Sequence, residues 1–313
     1  MSRIGGIGAV LLAVAAFAQV EITPRTKPVP PGAPQAGRSR IRVDSHLVLV
    51  PVSVNDEYNR PITGLEKENF RVFEDKAEQP IAAFSSEDEP IALGFIFDTS
   101  GSMHYAIPEG RHAAAEFLKL ADPKDEFFLV EFSDRPRLVV PLTADTSQID
   151  TEVLFTKSAG STALIDALYM GIHEMKKSKI GKKALILISD DGENNSRYTP
   201  SEIRKIVRES DVLIYSVVVG GGYGGSDQMS GQALMKEISE TSGAHMFETS
   251  AYELPDIAQK ICIELRNRYL IAYVPPDSPR DGRYHRIEVK VVPPRGLPKL
   301  RAHWRSGYYA PTH

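Results

Sequence analysis

Asp98-Thr99-Ser100-Gly101-Ser102 places one carboxylate and two hydroxyls on a single tight loop, with Gly101 as the expected sharp-turn residue. The loop follows the apolar run from Ile91 to Phe97. Asp98 therefore stands at the carboxyl end of an expected buried strand, where open α/β sheets bind ligands. Two further segments offer the same chemistry. Ser158-Ala159-Gly160-Ser161-Thr162 precedes an expected helix and supplies the hydroxyl of Thr162, and Ser189-Asp190-Asp191-Gly192 ends another strand and supplies the carboxylate of Asp190. Donors that are all oxygen suit a hard divalent cation. Asp98 and Asp190 bring two negative charges and the hydroxyls none, so a bound Mg²⁺ or Mn²⁺ is neutralised yet keeps an open position for another carboxylate. Taken singly, Ser and Thr cap helices and Asp ends strands in turns; the chemical reading rests on the five together.

Other constellations carry less. Gly220-x-Gly222-x-x-Gly225 follows a strand and matches the dinucleotide fingerprint, but the segment is nearly all glycine. No helix is expected to open directly after Gly225, so a surface loop is the better reading. The loop at Asp98 also resembles the aspartyl-phosphate loop of haloacid-dehalogenase-like phosphatases, with Asp98 as nucleophile and Mg²⁺ holding the phosphate. Those enzymes place a general-acid Asp where this chain has Ser100. No Gly-x-Ser-x-Gly surrounds Ser100 or Ser102, and the eight histidines form no His-x-x-x-His pair. Asn194-Asn195-Ser196 matches a glycosylation sequon and reads as loop chemistry.

The elements that must position these loops are legible in the apolar pattern. From Ile91 onward strands alternate with amphipathic helices: strands at 91–97, 127–132, 138–140, 184–189, 212–219 and 244–247, helices at 107–120, 163–177, from 199 to about 208, 231–241 and 253–267. Strands this apolar are covered on both faces, which predicts a doubly wound, mostly parallel α/β sheet. Before it, 41–90 reads as short strands and turns; after it, 268–313 returns to strands, with 275–282 as a hairpin connection. The tail is too small for a large core of its own, so it is predicted to pair with 41–90, making a small β-sandwich that flanks the α/β unit of 91–267.

At the front, Arg3, the apolar stretch Ile4–Phe17 and Ala16-Phe17-Ala18 read as a signal peptide of residues 1–18, and the proline-rich 19–40 as a linker. The mature protein is then exported, to the periplasm or beyond the cell. The chain has 313 residues, 37 basic and 41 acidic, a net charge of −4, and 42% hydrophobic residues. These are globular values, and no apolar run is long enough for a spanning helix. Residues 91–255 carry 16 basic and 24 acidic side chains, whereas 256–313 carry 11 and 5. Arginines and aromatics in that basic tail read as the solvated face of a sheet, and nucleic acid is not the expected partner. A single cysteine, Cys262, excludes an intramolecular disulfide framework and reads as a core thiol.

The five site residues and their order resemble the von Willebrand factor A domain and its metal-ion-dependent adhesion site, over residues 91–267. The resemblance implies Ser100, Ser102 and Thr162 as direct ligands, Asp98 and Asp190 acting largely through waters, and a protein partner whose Asp or Glu completes the sphere. Asp191 departs from the family, where Gly is common; Asp190, directly after the strand, is the preferred ligand and Asp191 the alternative. A wider likeness covers Arg60-Pro61-Ile62-Thr63-Gly64-Leu65, Val72-Phe73-Glu74-Asp75 and Gly307-Tyr308-Tyr309-Ala310-Pro311. It looks like a family of exported bacterial von Willebrand A-related proteins. The expected function is metal-dependent protein binding without catalysis. The alternatives are the phosphatase, a structural module with a vestigial metal site, and a scaffold whose β unit does the recognition.

Overall fold

The computed structural model describes residues 47–312 apart from 87–88, 154–155, 191–192, 194, 221–225, 276–280, 295 and 297–299. The expected signal peptide, the linker, Asp191 and most of the glycine-rich loop lie outside the described residues. The chain opens with β1 (Val48–Asn55), β2 (Phe70–Glu74), β3 (Ala77–Gln79) and β4 (Ile81–Ser85). It continues through β5 (Ile91–Asp98), α1 (Ile107–Lys119), β6 (Glu126–Phe132), β7 (Pro136–Thr143), α2 (Thr146–Val153), α3 (Leu164–Met175) and β8 (Lys182–Ser189). Then come α4 (Pro200–Glu209), β9 (Leu213–Val219), α5 (Ser226–Ser242), β10 (Met246–Thr249) and α6 (Leu254–Arg266). It closes with β11 (Tyr269–Tyr273), β12 (Tyr284–Val291), β13 (Arg301–Trp304) and β14 (Gly307–Tyr309).

The middle strands form a six-stranded sheet in the order β10-β9-β8-β5-β6-β7. All its pairs are parallel except that of the edge strand β7. The two-residue period sorts β5 between two cores. Leu93, Phe95 and Phe97 pack with Phe117 of α1, Ile149 of α2 and Ile261 of α6. Ala92 and Ile96 pack with Leu168 of α3, Ile203 of α4 and Ile238 of α5. Every residue of β5 is buried, the mark of a strand covered by helices on both faces. At Gly94 a Cβ would lie 2.1 Å from the Phe128 ring and 2.6 Å from Leu185, so only glycine lets that ring lie against the central strand. Cys262 is buried in the first of these cores.

The remaining strands form two four-stranded sheets, β13-β1-β11-β4 and β14-β12-β2-β3. They share a third core containing Val50, Val52, Val72, Tyr269, Ile271 and Val289. Strand β4 is the last before the α/β part and β11 the first after it, and they pair antiparallel with Leu270 opposite Ser85. The chain thus leaves and re-enters the sandwich on adjacent strands.

A buried polar network joins the two parts. Glu264 of α6 accepts hydrogen bonds from Tyr215 Oη (2.7 Å) and from Asn55 Nδ2 of β1 (2.8 Å). Arg268 donates to Tyr215 Oη (3.2 Å), Pro51 O (3.0 Å) and Gly243 O (3.1 Å). Burial pushes the Glu264 carboxyl up, but His245, Arg268 and the two hydrogen bonds hold it below the usual glutamate range.

Three expectations need correction. A helix does open directly after Gly225: α5 starts at Ser226, five residues before the expected start. Its first turn, Ser-Asp-Gln-Met-Ser, carries too little apolar periodicity to announce it. The helix α2 was not expected, because eight residues with only Ile149 and Val153 buried give a faint stripe. Strands β11 and β12 lie in different sheets and do not form the expected hairpin, and most of its expected connection, 276–280, lies outside the described residues; alternation reveals a strand but not the sheet it joins.

Candidate metal centre

Strand order reverses at β5. The chain runs outward from it through β6 and β7, then returns to pair β8 with its other edge. Loops after β5, β6 and β8 therefore open at one end of the sheet, the switch point where α/β folds bind ligands.

Asp98, the last residue of β5, is fully buried. Its Oδ1 accepts from the Ser100 amide (2.8 Å) and its Oδ2 from Ser189 Oγ (2.5 Å). Burial nevertheless pushes its carboxyl up to about 6, against the hydrogen bonds from Ser189 and Ser100 and with help from the charge of Asp190. A carboxylate held in so poor a solvent gains from a nearby cation. The Ser100 and Ser102 hydroxyl oxygens stand 3.2 Å apart, the first buried and the second exposed. Adjacent ligands of an octahedral ion with bonds of about 2.1 Å are about 3.0 Å apart. The two hydroxyls share a hydrogen bond at a spacing that neighbouring ligands of one ion could also take, and the all-oxygen donor set fits Mg²⁺ or Mn²⁺.

Main-chain bonds tie the other loops to this one. Ala159 N donates to Thr99 O (2.8 Å), Gly101 N to Gly160 O (3.1 Å), and Thr99 N to Phe132 O (2.7 Å). Thr162 is buried, and its carbonyl accepts from Asn195 N (3.2 Å). Asp190 is half-buried at the end of β8. The sequence-predicted residues Asp98, Ser100, Ser102, Thr162 and Asp190 thus stand on loops gathered at one sheet end.

The turn chemistry differs from expectation. Gly101 begins a short 3₁₀ segment, Gly101–Tyr105. Positive φ falls instead on Gly160, at +88°. A Cβ there would lie 2.8 Å from Asp134 Oδ2.

Sequence reasoning missed Asp134, Asn195 and Glu193. Asp134 Oδ1 accepts from Ser161 N (2.7 Å) and its carbonyl from Asn195 Nδ2 (2.8 Å), bracing the Thr162 loop from both sides. Glu193 Oε2 accepts from Ile165 N (2.9 Å), closing the first turn of α3 just after that loop. A signal for Asp134 was present: it follows β6, the strand beside β5, at the same end of the sheet.

The fold and these loops define a class: a doubly wound α/β domain with a hydroxyl-rich oxygen site at its switch point. The family model for the von Willebrand factor type A domain matches residues 93–260, and the chain belongs to that family. Among solved structures it is similar to a von Willebrand factor type A protein from Catenulispora acidiphila, with TM-score 0.50 and 12% identity over 85% of this chain and 75% of that one. It is also similar to BatB from Bacteroides thetaiotaomicron, with TM-score 0.44 and 16% identity over 56% of this chain and 98% of that one. The von Willebrand domain of the type V pili tip protein Mfa5 from Porphyromonas gingivalis gives TM-score 0.42 and 15% identity, over 57% of this chain and 97% of that one. No curated protein matches the sequence. Among the described residues no helix is long and apolar enough to cross a membrane.

Proposed function

We propose that this protein is an exported, cation-dependent protein-binding module. Ser100, Ser102 and Thr162 hold one Mg²⁺ or Mn²⁺ directly, and Asp98 and Asp190 act largely through waters. A partner's Asp or Glu carboxylate takes the open position. The observation that carries this reading is the pair of hydroxyl oxygens 3.2 Å apart beside a fully buried carboxylate. Two negative charges on the protein leave the ion electrophilic enough to prefer an anionic sixth group.

The same geometry bears on the phosphatase alternative. A phosphatase of that kind needs a general-acid carboxylate two residues after its nucleophile, where this chain has Ser100. Asp98 has no exposed surface, and both its oxygens accept hydrogen bonds. That arrangement favours a supporting carboxylate and a binding function.

The test is calorimetric titration of Mn²⁺ into the metal-stripped full chain, with Asp98→Ala and Ser100→Ala alongside. Saturable binding near one ion per chain, lost in both variants, supports the reading. A folded wild-type chain that takes up no Mn²⁺, with or without an acidic peptide present, overturns it.

A further inference from the structure

The β-sandwich carries a second convergence of ligand-type side chains, away from the loops of the α/β sheet. Glu74 ends β2, Asp75 sits in the turn to β3, and His285 is on β12, which pairs with β2. One donor atom from each lies within 4.8 Å of the others. His285 Nδ1 is 2.9 Å from Asp75 Oδ2 and 3.5 Å from Glu74 Oε1. These separations bracket the ~3.3 Å between ligands of a tetrahedral ion with bonds of about 2.0–2.1 Å.

The atoms facing away from this point are already engaged. Glu74 Oε2 accepts from Tyr273 Oη (2.5 Å) and Tyr308 Oη (3.2 Å). Asp75 Oδ1 accepts from Arg286 N (3.0 Å). The far nitrogen of His285, Nε2, lies 3.4 Å from Asp281 Oδ1. Carboxylates behind ligating histidines fix the tautomer and ring orientation in this way. His285 Nδ1 faces two carboxylates, so positive charge is favoured at this point, either as a proton shared with Asp75 or as a cation in its place. Three carboxylates thus surround one imidazole. Arg283 reaches only Asp281, at 3.8 Å and from solvent. Glu74 is buried and His285 nearly so, whereas Asp75 is 55% exposed and leaves the point open to solvent.

We propose that Glu74, Asp75 and His285 form a second cation site, for a zinc-type ion. One imidazole and two carboxylates match Zn²⁺, with water as the remaining ligand. The donor set differs from the oxygen-only loops at Asp98, and the two sites need not be filled together.

The test is calorimetric titration of Zn²⁺ into the metal-stripped full chain carrying Asp98→Ala, which silences the other site. One Zn²⁺ per chain is expected. The affinity should fall at least tenfold on adding His285→Gln and, because Glu74 is buried and its loss could unfold the sandwich, on adding Asp75→Asn in its place. Asn tolerates the turn, where Asp75 has φ +47°. Co²⁺ as a probe should give the visible absorption of a low-coordinate nitrogen–oxygen site, abolished by His285→Gln. Absence of Zn²⁺ binding by the folded Asp98→Ala protein, or binding that neither substitution weakens, overturns the proposal.

Discussion

Replacing Gly160 by alanine tests how the Thr162 loop is held. Gly160 has φ +88°, and a Cβ there would meet the Asp134 carboxylate at 2.8–2.9 Å. A left-handed backbone costs an alanine about 1–2 kcal/mol. The methyl must also displace Asp134, which releases the Ser161 amide that it holds at 2.7 Å. Losing a hydrogen bond to a charged group costs about 1.5–3 kcal/mol, toward the low end for an exposed carboxylate. The expected destabilisation of Gly160→Ala is therefore about 2–4 kcal/mol. Gly64 is the matched control, because its φ is +76° and a Cβ there meets nothing within 4 Å. Gly64→Ala should cost only the backbone term, about 1–2 kcal/mol. Urea denaturation at pH 7 reads both variants, and a third measurement repeats Gly160→Ala in an Asp134→Ala background. There the extra cost should vanish, since the obstructing carboxylate is gone. Mn²⁺ affinity should drop in Gly160→Ala and stay unchanged in Gly64→Ala. Equal costs for the two glycines, or a Gly160→Ala cost that stays above that of Gly64→Ala without Asp134, would refute the reasoning.

Three further outcomes follow from buried charge. Asp98→Asn should stabilise the metal-free protein at pH 7 by about 1–3 kcal/mol, because the amide keeps the shape without the desolvated charge; a lower urea midpoint in excess chelator would count against it. Glu264→Leu removes the acceptor for Tyr215 and Asn55 and leaves Arg268 buried without its countercharge. It should cost about 3–5 kcal/mol, and a loss under 1 kcal/mol by urea melt would show the junction to be replaceable. His303 is pushed down to about 4 by burial and by its neighbour His245, whose ring centroid is 4.5 Å away. Its folded value lies below its unfolded value of about 6.5, so the stability it protects is full above pH ~6.5 and declines as pH falls toward 4. The decline is worth up to about 3 kcal/mol. Urea melts at pH 7, 5.5 and 4.5 should show a shallower acid decline in His303→Gln, and an unchanged decline would remove His303 from the account.

Much of the fold was written in periodicity. The run Ile91–Phe97 has no polar residue, and the strand it forms has no exposed one. Alternation is a local property, however, and carries no record of which strand lies beside which. That is why alternation reads β11 and β12 as one hairpin although they lie in different sheets. Short or polar elements escaped for the opposite reason. In α2 two buried side chains anchor eight residues, and in α5 the first turn is polar while the stripe of Leu234, Met235 and Ile238 comes later.

The candidate site divides along a different line. Its proposed donors are side chains, so residue type and spacing expose them: Asp98, Ser100 and Ser102 at intervals of two, then Thr162 and Asp190 at later strand and helix ends. What aims them is mostly main chain. Phe132 O holds Thr99, Gly160 O holds Gly101, and Thr99 O holds Ala159. A carbonyl is the same atom in every residue, so no pattern of letters marks it. The one strong cue is glycine, and the letters alone point to Gly101, whereas the left-handed backbone falls on Gly160. Gly101 sits where any residue's backbone could go, whereas Gly160 combines a left-handed φ with a carboxylate pressed against its missing Cβ. Glycine signals a constraint only together with the neighbour that imposes it, and that neighbour, Asp134, lies 26 positions away in sequence. The placement of Thr162 therefore depends on a contact between two loops of different strands, which is why Gly160→Ala in the presence and absence of Asp134 probes it directly.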